Sequence, residues 1–375
     1  MSSALAFELP PAKRIPHQGM PPLDLSGPPV SFFEFWPQRY FYAPMFLYWL
    51  WLTMKHGGRF TLPTIANPLM PMGGWVGESK AAVFDLAGSH ARKYIARWTA
   101  FDRSADATVT DARAAIRRAG LAFPFVAKPD MGCRGVGVRR IGDDSQLAAY
   151  LSAFPVGHRI IFQALVDHEA EAGVFYVRHP GETRGRIVSL TLKYFPYVYG
   201  DGRSTLRELI ERDRRAGPLA NIYLPRHKDR LDLVLADGEP FRIAFAGSHS
   251  RGTIFRNGNH LITEAMTDAF DRIAKDVKEF YFGRFDVRFS SIEDLQRGQT
   301  FKIVELNGAG AESTHIWDRN TKLRDAYRAL MAQYTAMWSI GAANAKRGFR
   351  PARLRDFISA YRQESKLWAQ YPQTE

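Results

Sequence analysis

Residues 283–289, with the sequence GRFDVRF, and residues 300–307, with the sequence TFKIVELN, decide the fold of this chain. Both stretches read as β-strands, in which successive side chains point to opposite faces of the sheet. The polar residues between them, 290–299, include a glycine and suit a hairpin connection. Pairing of the two strands would gather on one face Arg284, Asp286, Arg288, Glu305 and Asn307.

This polar face has the chemistry of a metal site. Mg²⁺ takes oxygen ligands and commonly binds one or two carboxylates together with substrate phosphates. Asp286, Glu305 and Asn307 supply two carboxylates and an amide oxygen, and the carboxylates would repel each other without a cation. A solvated sheet face with ordinary surface charges is the alternative interpretation.

A glycine-rich loop lies upstream of the two strands. The apolar run FPFVAKP at residues 123–129 contains Lys128, and DMGCRGVGV follows at residues 130–138. Glycines let backbone N–H groups approach a phosphate closely, and a lysine at a strand end supplies a point charge. The lysine precedes the glycines, so the loop is not of the GxxxxGK[ST] type. A plain glycine-rich hairpin is the alternative.

The order of these motifs resembles that of the ATP-grasp superfamily. A strand ending in Lys-Pro, a glycine-rich loop and then Arg-x-Asp and Glu-x-Asn is similar to D-alanine–D-alanine ligases and to the ATP-grasp half of cyanophycin synthetases. Residues 198–210, VYGDGRSTLRELI, are similar to a Gly-Asp-Gly segment of cyanophycin synthetases. The resemblance covers residues 77–317. It implies an α/β (α+β) chain with an ATP-grasp fold, in which the nucleotide lies between two α/β lobes.

The resemblance also implies roles for individual residues, with ATP and Mg²⁺, or Mn²⁺ in its place, as cofactors. Arg284 and Arg251 would be catalytic, and the metal would bind Asp286, Glu305 and Asn307. The ATP-binding residues would be Lys80, Lys128, Cys133, Arg134, Gly135, Gln163, Ala164, Leu165, Glu171 and Lys193. In this set, residues 163–165 belong to a hinge segment, residues 160–166, that would pack against adenine, while Glu171 would contact the ribose and Lys193 the γ-phosphate. Lys93 is the alternative to Lys80.

The resemblance implies an ATP-dependent ligase that activates a substrate carboxylate as an acylphosphate and joins it to an amine, giving ADP and phosphate. The chain departs from the family after Asn307, where GAGAESTH at residues 308–315 replaces the usual Thr/Ala-x-Pro-Gly. That region contacts the acceptor in the family, so the carboxylate and amine stay unassigned, and small or lipid-linked compounds are both open. The alternatives are phosphorylation of a non-carboxylate acceptor and nucleotide binding without turnover.

Composition narrows the class of protein. The 375 residues suffice for two or three lobes and include 51 Lys and Arg against 38 Asp and Glu, a net charge of +13. Such a charge suits nucleic acid, anionic lipid or acidic substrates. No zinc-ligand spacing, helix-turn-helix or ribonucleoprotein motif is present, so no nucleic-acid partner is predicted. The one cysteine, Cys133, excludes an internal disulfide and fits a cytoplasmic setting.

The composition along the chain also suggests domain boundaries. Residues 1–30 are proline-rich and are predicted to be extended or disordered, and residues 31–100 form an N-terminal lobe with a hydrophobic helix. Residues 101–165 and 166–345 are the predicted small and large ATP-grasp lobes. Residues 346–375 are a predicted C-terminal tail or peripheral helix. The oligomeric state is not predicted.

Residues 31–56 are unusually aromatic, with an apolar run from Tyr40 to Met54 that contains Pro44. The run is shorter than the ~20 residues of a membrane-spanning helix. It has three interpretations: a buried core helix, contact with a membrane surface or a lipid-like substrate, and a true span. Tryptophans and tyrosines beside basic residues favour peripheral contact with the inner face of a membrane.

Further elements follow from periodicity. Residues 186–194 alternate as a strand, and residues 322–346 have the spacing of a long amphipathic helix. Thr263 is the predicted N-cap of another helix. His249 could act as a base and His315 could contact substrate, with a structural role as the alternative for each.

Overall fold

The computed structural model describes residues 15–132, 135–245, 247–249, 252–372 and 374. Within these ranges the strands pair antiparallel in a four-stranded sheet, a five-stranded sheet and a two-stranded ribbon. The strands are β1 (Trp98–Arg103), β2 (Phe125–Pro129), β3 (Arg139–Ile141), β4 (His158–Ala164), β5 (Ala170–Val177), β6 (Arg186–Tyr194), β7 (Tyr197–Tyr199), β8 (Pro240–Arg242), β9 (Ile254–Asn257), β10 (Phe282–Phe289) and β11 (Phe301–Asn307). The helices are α1 (Gln38–Phe41), α2 (Ala43–Lys55), α3 (Lys80–Asp85), α4 (Ser89–Arg92), α5 (Val109–Arg118), α6 (Asp144–Ala153), α7 (Leu206–Arg212), α8 (Ala220–Tyr223), α9 (Glu264–Lys275), α10 (Ile292–Gln296), α11 (Leu323–Lys346) and α12 (Leu354–Trp368).

The five-stranded sheet has the order β11–β10–β5–β6–β9 and two chemically different faces. One face packs on α9, which begins at the predicted N-cap Thr263, and it buries Phe285, Val287 and Phe289. Full burial of such a side chain stabilises the fold by about 1.5–3 kcal/mol. The polar residues that alternate with these three in β10 therefore lie on the opposite face.

A β-bulge in β11 decides which of its side chains reach this polar face. Asp286 pairs with Glu305. The next pair is Val287 with Ile303, which leaves Val304 as an extra residue without a partner in β10. Strict alternation would put Ile303 and Glu305 on the same face. Because of the bulge, Ile303 packs in the apolar core while Glu305 lies opposite Asp286.

The four-stranded sheet has the order β1–β4–β2–β3 and forms the core of a smaller lobe with α5 and α6. Helix α5 begins with a capping box of Thr108 and Asp111. The buried rings of Phe125 on β2 and Phe162 on β4 meet edge to face at 5.4 Å. The predicted α/β chain with two sheet-containing lobes is confirmed.

The C-terminal residues are packed on the smaller lobe. Helix α12 belongs to this region, and Leu367 and Tyr371 are buried in the apolar core of the smaller lobe. The Tyr371 hydroxyl donates a 2.7 Å hydrogen bond to the Met131 carbonyl at the start of the glycine loop. Glu364 accepts a 2.9 Å hydrogen bond from the Gly77 N–H. The C-terminal segment therefore links the N-terminal lobe to the smaller lobe.

Residues 15–30 contain no helix or strand but are attached to the large lobe. Asp24 forms a 2.6 Å ion pair with Arg319, and the His17 ring hydrogen-bonds the Phe195 carbonyl at 2.7 Å. Burial lowers the pKa of His17. The sequence predicts an extended or disordered segment; in the structure, residues 15–30 contain a turn and are held against the large lobe.

Helix α2 has apolar side chains on opposite sides. Met45, Trp49 and Leu52 are buried, whereas Phe46 and Leu47 are 55% and 67% exposed. The interpretation of the aromatic segment as a buried core helix therefore holds for one side of α2, and the other side is exposed. Among the described residues, none of the helices has the length and apolar character needed to span a bilayer.

Candidate active site

The polar face of the large sheet carries a network of buried ion pairs centred on Asp286. The Arg284 guanidinium donates two hydrogen bonds to the Asp286 carboxylate, of 2.8 and 3.1 Å. Lys193 Nζ lies 3.0 Å from the same carboxylate. Burial alone raises the pKa of Asp286, but the two cations outweigh it and lower the pKa to about 2. Asp286 is therefore ionised at neutral pH.

Glu171 extends this network onto β5, where it faces Arg288 on one neighbouring strand and Lys193 on the other. Its carboxylate lies 3.0 Å from Lys193 Nζ and 3.3 Å from Arg288 Nε. Lys193 thus bridges Glu171 and Asp286. The ribose contact of Glu171 and the γ-phosphate contact of Lys193 stay predictions, and both side chains belong to one buried network.

Gly173 leaves room at the centre of the network. It stands opposite Asp286 in the sheet register. A Cβ atom at this position would lie 3.0 Å from Arg284 Cδ and 3.3 Å from Asp286 Oδ1. Any larger residue would therefore press on the Arg284–Asp286 pair. Gly173 was not among the predicted site residues, although a glycine inside a strand often marks such a close approach.

The three predicted metal ligands lie together at the edge of this network. Glu305 faces Asp286 in the register, and Asn307 Nδ2 is 3.4 Å from Asp286 Oδ2. Within the described ranges, no group of three or more His, Cys, Asp or Glu side chains is placed to hold a metal. The set here is two carboxylates and an amide, which fits Mg²⁺ when substrate phosphates complete the coordination.

Lys128 enters the site from the smaller lobe. Its Nζ donates hydrogen bonds to Gln163 Oε1 at 2.7 Å and to the Val304 carbonyl at 2.9 Å. Val304 is the bulged residue of β11, so the bulge supplies the acceptor that joins the two lobes. Burial lowers the pKa of Lys128 to about 8, with Glu305 opposing the shift. Lys128 is thus a buried cation beside the metal-ligand strands.

Lys80, rather than its alternative Lys93, lies in the site. Lys80 Nζ donates to the Gly132 carbonyl at 2.7 Å and lies 3.4 Å from Glu305. It is the first residue of α3, which Ser79 caps. Lys93 is an exposed residue at the end of α4.

Glu78 is a partly buried carboxyl group that was not among the predicted site residues. It accepts a 3.1 Å hydrogen bond from the Gly308 N–H, directly after the metal-ligand strand. Burial raises the pKa of Glu78 to about 8, although the Gly308 N–H and Lys80 act in the opposite direction. The group is therefore mostly protonated at neutral pH and can donate a hydrogen bond.

The predicted adenine-binding residues lie at the end of β4. Gln163 is 2% exposed, and its Oε1 accepts the hydrogen bond from Lys128. Its Nε2 donates to the Ala96 carbonyl at 3.4 Å. The Ala164 N–H donates to the Arg97 carbonyl at 2.8 Å. Leu165 follows the strand. The structure thus places Gln163 at Lys128, and an adenine contact of residues 163–165 stays a prediction.

Three predicted site residues, Cys133, Arg134 and Arg251, lie outside the described residues. Gly135 takes a positive φ of 70°, a conformation that glycine adopts without strain. The Thr374 hydroxyl donates to the Gly135 carbonyl at 2.7 Å, so the end of the chain lies against the glycine loop.

The two candidate histidines, His249 and His315, each contact another side chain. His249 stacks on Trp317 with ring centroids 4.5 Å apart and an interplanar angle of 9°. His315 Nδ1 hydrogen-bonds Ser189 Oγ at 2.7 Å, on the polar side of β6. Burial lowers the pKa of His315 to about 4, against a small opposing effect of Asp318. His315 is therefore neutral at pH 7.

Burial of neutral His315 predicts that the folded protein loses stability in acid. Since unfolded His315 takes up a proton near pH 6.5 and the folded form only near pH 4, stability should fall as the pH drops through that window. We expect a loss of about 2 kcal/mol between pH 7 and pH 4.5 from this residue. Urea denaturation of wild type and His315→Gln measures it. Equal acid losses in both proteins would contradict the assignment.

Comparison with known proteins gives similarities of structure. No protein-family model matches the sequence, and no curated protein does. The fold is similar to a D-alanine–D-alanine ligase from Bacillus anthracis, at 13% identity and a TM-score of 0.39 over 72% of this chain and 68% of that one. A D-cycloserine synthetase gives 14% and 0.38, over 68% of this chain and 69% of that one. A bifunctional glutathione synthetase from Pasteurella multocida gives 13% and 0.34 over 68% of this chain, which spans only 36% of that protein.

Two antiparallel sheets with covering helices meet at one site, and that site combines lysines with a pair of carboxylates. This is the arrangement that the resemblance to the ATP-grasp superfamily implies.

Proposed function

We propose that this chain is an ATP-dependent ligase that activates a substrate carboxylate as an acylphosphate and joins it to an amine. The observation that carries the proposal is a surplus of positive charge between the two sheets. The cations are Lys80, Lys128, Lys193, Arg284 and Arg288, and the carboxylates are Glu171, Asp286, Glu305 and, beside Arg284, Glu312. Five cations against four anions leave an excess of one charge, which an anionic ligand such as a polyphosphate would neutralise.

The chain's own residues would bind and orient ATP. Lys128 and Lys193 would neutralise phosphate oxygens, and the glycine loop would cover them with backbone N–H groups. Asp286, Glu305 and Asn307 would hold Mg²⁺, which would supply positive charge to offset that of the phosphates. Burial of Lys128, Lys193 and Asp286 excludes water, which strengthens the electrostatic contacts that these three side chains make.

The proposed reaction has two steps. A substrate carboxylate oxygen attacks the γ-phosphorus of ATP, the bond to the β,γ-bridging oxygen breaks, and ADP leaves with that electron pair. The amine nitrogen then attacks the acyl carbon, phosphate leaves, and the amine loses a proton. The Arg284 guanidinium is fixed by Asp286 and by the Glu312 carbonyl, which accepts a 3.0 Å hydrogen bond from it. In this fixed position Arg284 would face the acylphosphate.

The segment after Asn307 would select the substrate. It lies against the polar face, where Thr314 Oγ1 hydrogen-bonds Thr191 Oγ1 at 3.0 Å and Gly308 hydrogen-bonds Glu78. The sequence GAGAESTH, at residues 308–315, replaces the proline-containing segment usual in the family. We infer an acceptor other than the usual amino acids of the family, either a small molecule or a lipid-linked one.

Hydroxylamine tests the proposal without knowledge of the amine. An acylphosphate reacts with hydroxylamine to give a hydroxamate, which is measured as its coloured iron complex. We expect ATP-dependent hydroxamate and phosphate formation with at least one member of a carboxylate panel. A stable phosphorylated product without hydroxamate would favour the phosphotransferase alternative. ATP binding without phosphate release across the panel would favour a non-catalytic nucleotide-binding protein.

We also propose that residues 31–56 make peripheral contact with a membrane surface. The support is the exposed side of α2, where Phe46, Leu47 and Met54 are 55%, 67% and 71% exposed. A single apolar helix face beside basic residues is typical of interfacial attachment. Sedimentation of the full chain with lipid vesicles tests this contact.

A further inference from the structure

A basic pocket lies outside the candidate active site, at the junction of the N-terminal lobe and the C-terminal helix. It is a cavity of about 710 Å³ lined by residues 58–61, which follow α2, and residues 348–354, which lead into α12. Its three arginines are Arg59, Arg350 and Arg353. All three are exposed, and in the part of the chain that the structure describes none of them pairs with a carboxylate.

Hydrogen bonds fix the two walls of this pocket to each other. Thr61 Oγ1 donates to the Ala352 carbonyl at 2.6 Å, and the Ala352 N–H donates to Thr64 Oγ1 at 2.9 Å. Residue 352 lies between two of the arginines, and residue 61 follows the third closely. Hydrogen bonds therefore hold together the two backbone segments that carry the three arginines, whereas the arginine side chains are exposed to solvent.

Exposed apolar side chains come shortly before the pocket residues in α2 and at or shortly after the last of them in α12. Trp51 and Met54, near the end of α2, are 45% and 71% exposed. Leu354 and Ile358, in the first turns of α12, are 49% and 40% exposed. Residues 35–77 contain no Asp or Glu. A surface of this composition complements an anionic, partly apolar partner.

We propose that Arg59, Arg350 and Arg353 bind the phosphate-bearing headgroup of an anionic phospholipid, while the apolar side chains of α2 and α12 enter the bilayer interface. Guanidinium groups suit this task because their forked N–H donors match phosphate oxygens in pairs. The inference rests on the membrane contact proposed above and adds a headgroup site to it. It does not depend on the proposed ligase reaction.

Vesicle sedimentation of the full chain tests the headgroup site. The vesicles contain phosphatidylcholine alone or with increasing phosphatidylglycerol. The pocket variant is Arg59→Ala, Arg350→Ala, Arg353→Ala. The matched control, Arg117→Ala, Arg118→Ala, Arg272→Ala, removes exposed arginines from α5 and α9 and changes the net charge equally. We expect the wild type and the control to sediment with anionic vesicles and the pocket variant to lose roughly hundredfold in affinity. Circular dichroism checks that each variant is folded.

Each other outcome has a distinct meaning. Equal weakening of the pocket variant and the control would show attraction by net charge alone and would overturn the headgroup site. Vesicle binding of the pocket variant equal to that of the wild type would overturn it too, while leaving the membrane contact standing. Absence of wild-type binding would overturn both. Wild-type self-association that the pocket variant abolishes would identify a protein interface instead. Saturable binding of inorganic phosphate without vesicle binding would rule out the lipid as the source.

Discussion

Replacing Glu305 with glutamine is expected to abolish turnover and leave the fold intact. The change removes one of the two carboxylates of the proposed metal site, and lost stabilisation of developing charge costs roughly 10²–10³-fold in rate. Glu305 has a side chain that is 28% exposed and an ion pair with Lys80 that spans 3.4 Å. We therefore expect the free energy of unfolding to change by less than about 1 kcal/mol. Phosphate release and urea denaturation measure the two effects.

Asp286→Asn should also abolish turnover, but it should destabilise the protein. Asp286 neutralises Arg284 and Lys193 in a buried position. Removal of one partner from such a network typically costs about 3–5 kcal/mol, because the remaining charges stay buried without compensation.

Turnover in the Glu305→Gln variant equal to that of the wild type would contradict the metal-site proposal. An Asp286→Asn variant as stable as the wild type would contradict the ion-pair network.

Replacing Lys128 with methionine is expected to weaken ATP binding and turnover by about a hundredfold or more. The change removes a cation that is 6% exposed and lies between the two lobes. Stability should change little, since loss of a costly buried charge offsets loss of the hydrogen bond to Gln163. Calorimetric titration with ATP and thermal unfolding measure the two quantities.

Lys93→Met is the matched control for this experiment, because Lys93 is an exposed lysine of the same chain. It should bind ATP as tightly as the wild type does. A Lys128→Met variant with normal ATP affinity and turnover would show that Lys128 is an ordinary buried lysine at a strand end.

Local sequence signals predicted much of the fold. Alternation gave β6 with its observed ends, Arg186–Tyr194, and helical spacing gave α11 to within one residue, Leu323–Lys346. The side-chain oxygen of Thr263 accepts a hydrogen bond from the Met266 N–H, as a predicted N-cap should. These elements are predictable because the cause of each lies within a few neighbouring residues.

Two features of the site depend on contacts that no local pattern reveals. The bulge at Val304 reverses the alternation of β11, so Glu305 reaches the polar face although Ile303 is in the core. The raised pKa of Glu78 arises from burial, and a glutamate in a polar stretch of sequence gives no sign of this. Both effects come from the pairing of distant segments.

The C-terminal segment shows the same limit. The sequence predicted a peripheral helix or a tail there, and α12 is a helix. Its docking depends on single contacts such as Tyr371 with Met131 and Thr374 with Gly135. Such contacts join residues far apart in the chain, and nothing in the local composition specifies the partner.

A structure of the chain with Mg²⁺ and a non-hydrolysable ATP analogue tests the central claim most directly. The account predicts the triphosphate between the two sheets, in contact with Lys128 and Lys193, and the metal at Asp286, Glu305 and Asn307. It predicts adenine at residues 163–165. A nucleotide bound elsewhere, or a metal that shares no ligand with Asp286 and Glu305, would contradict the account.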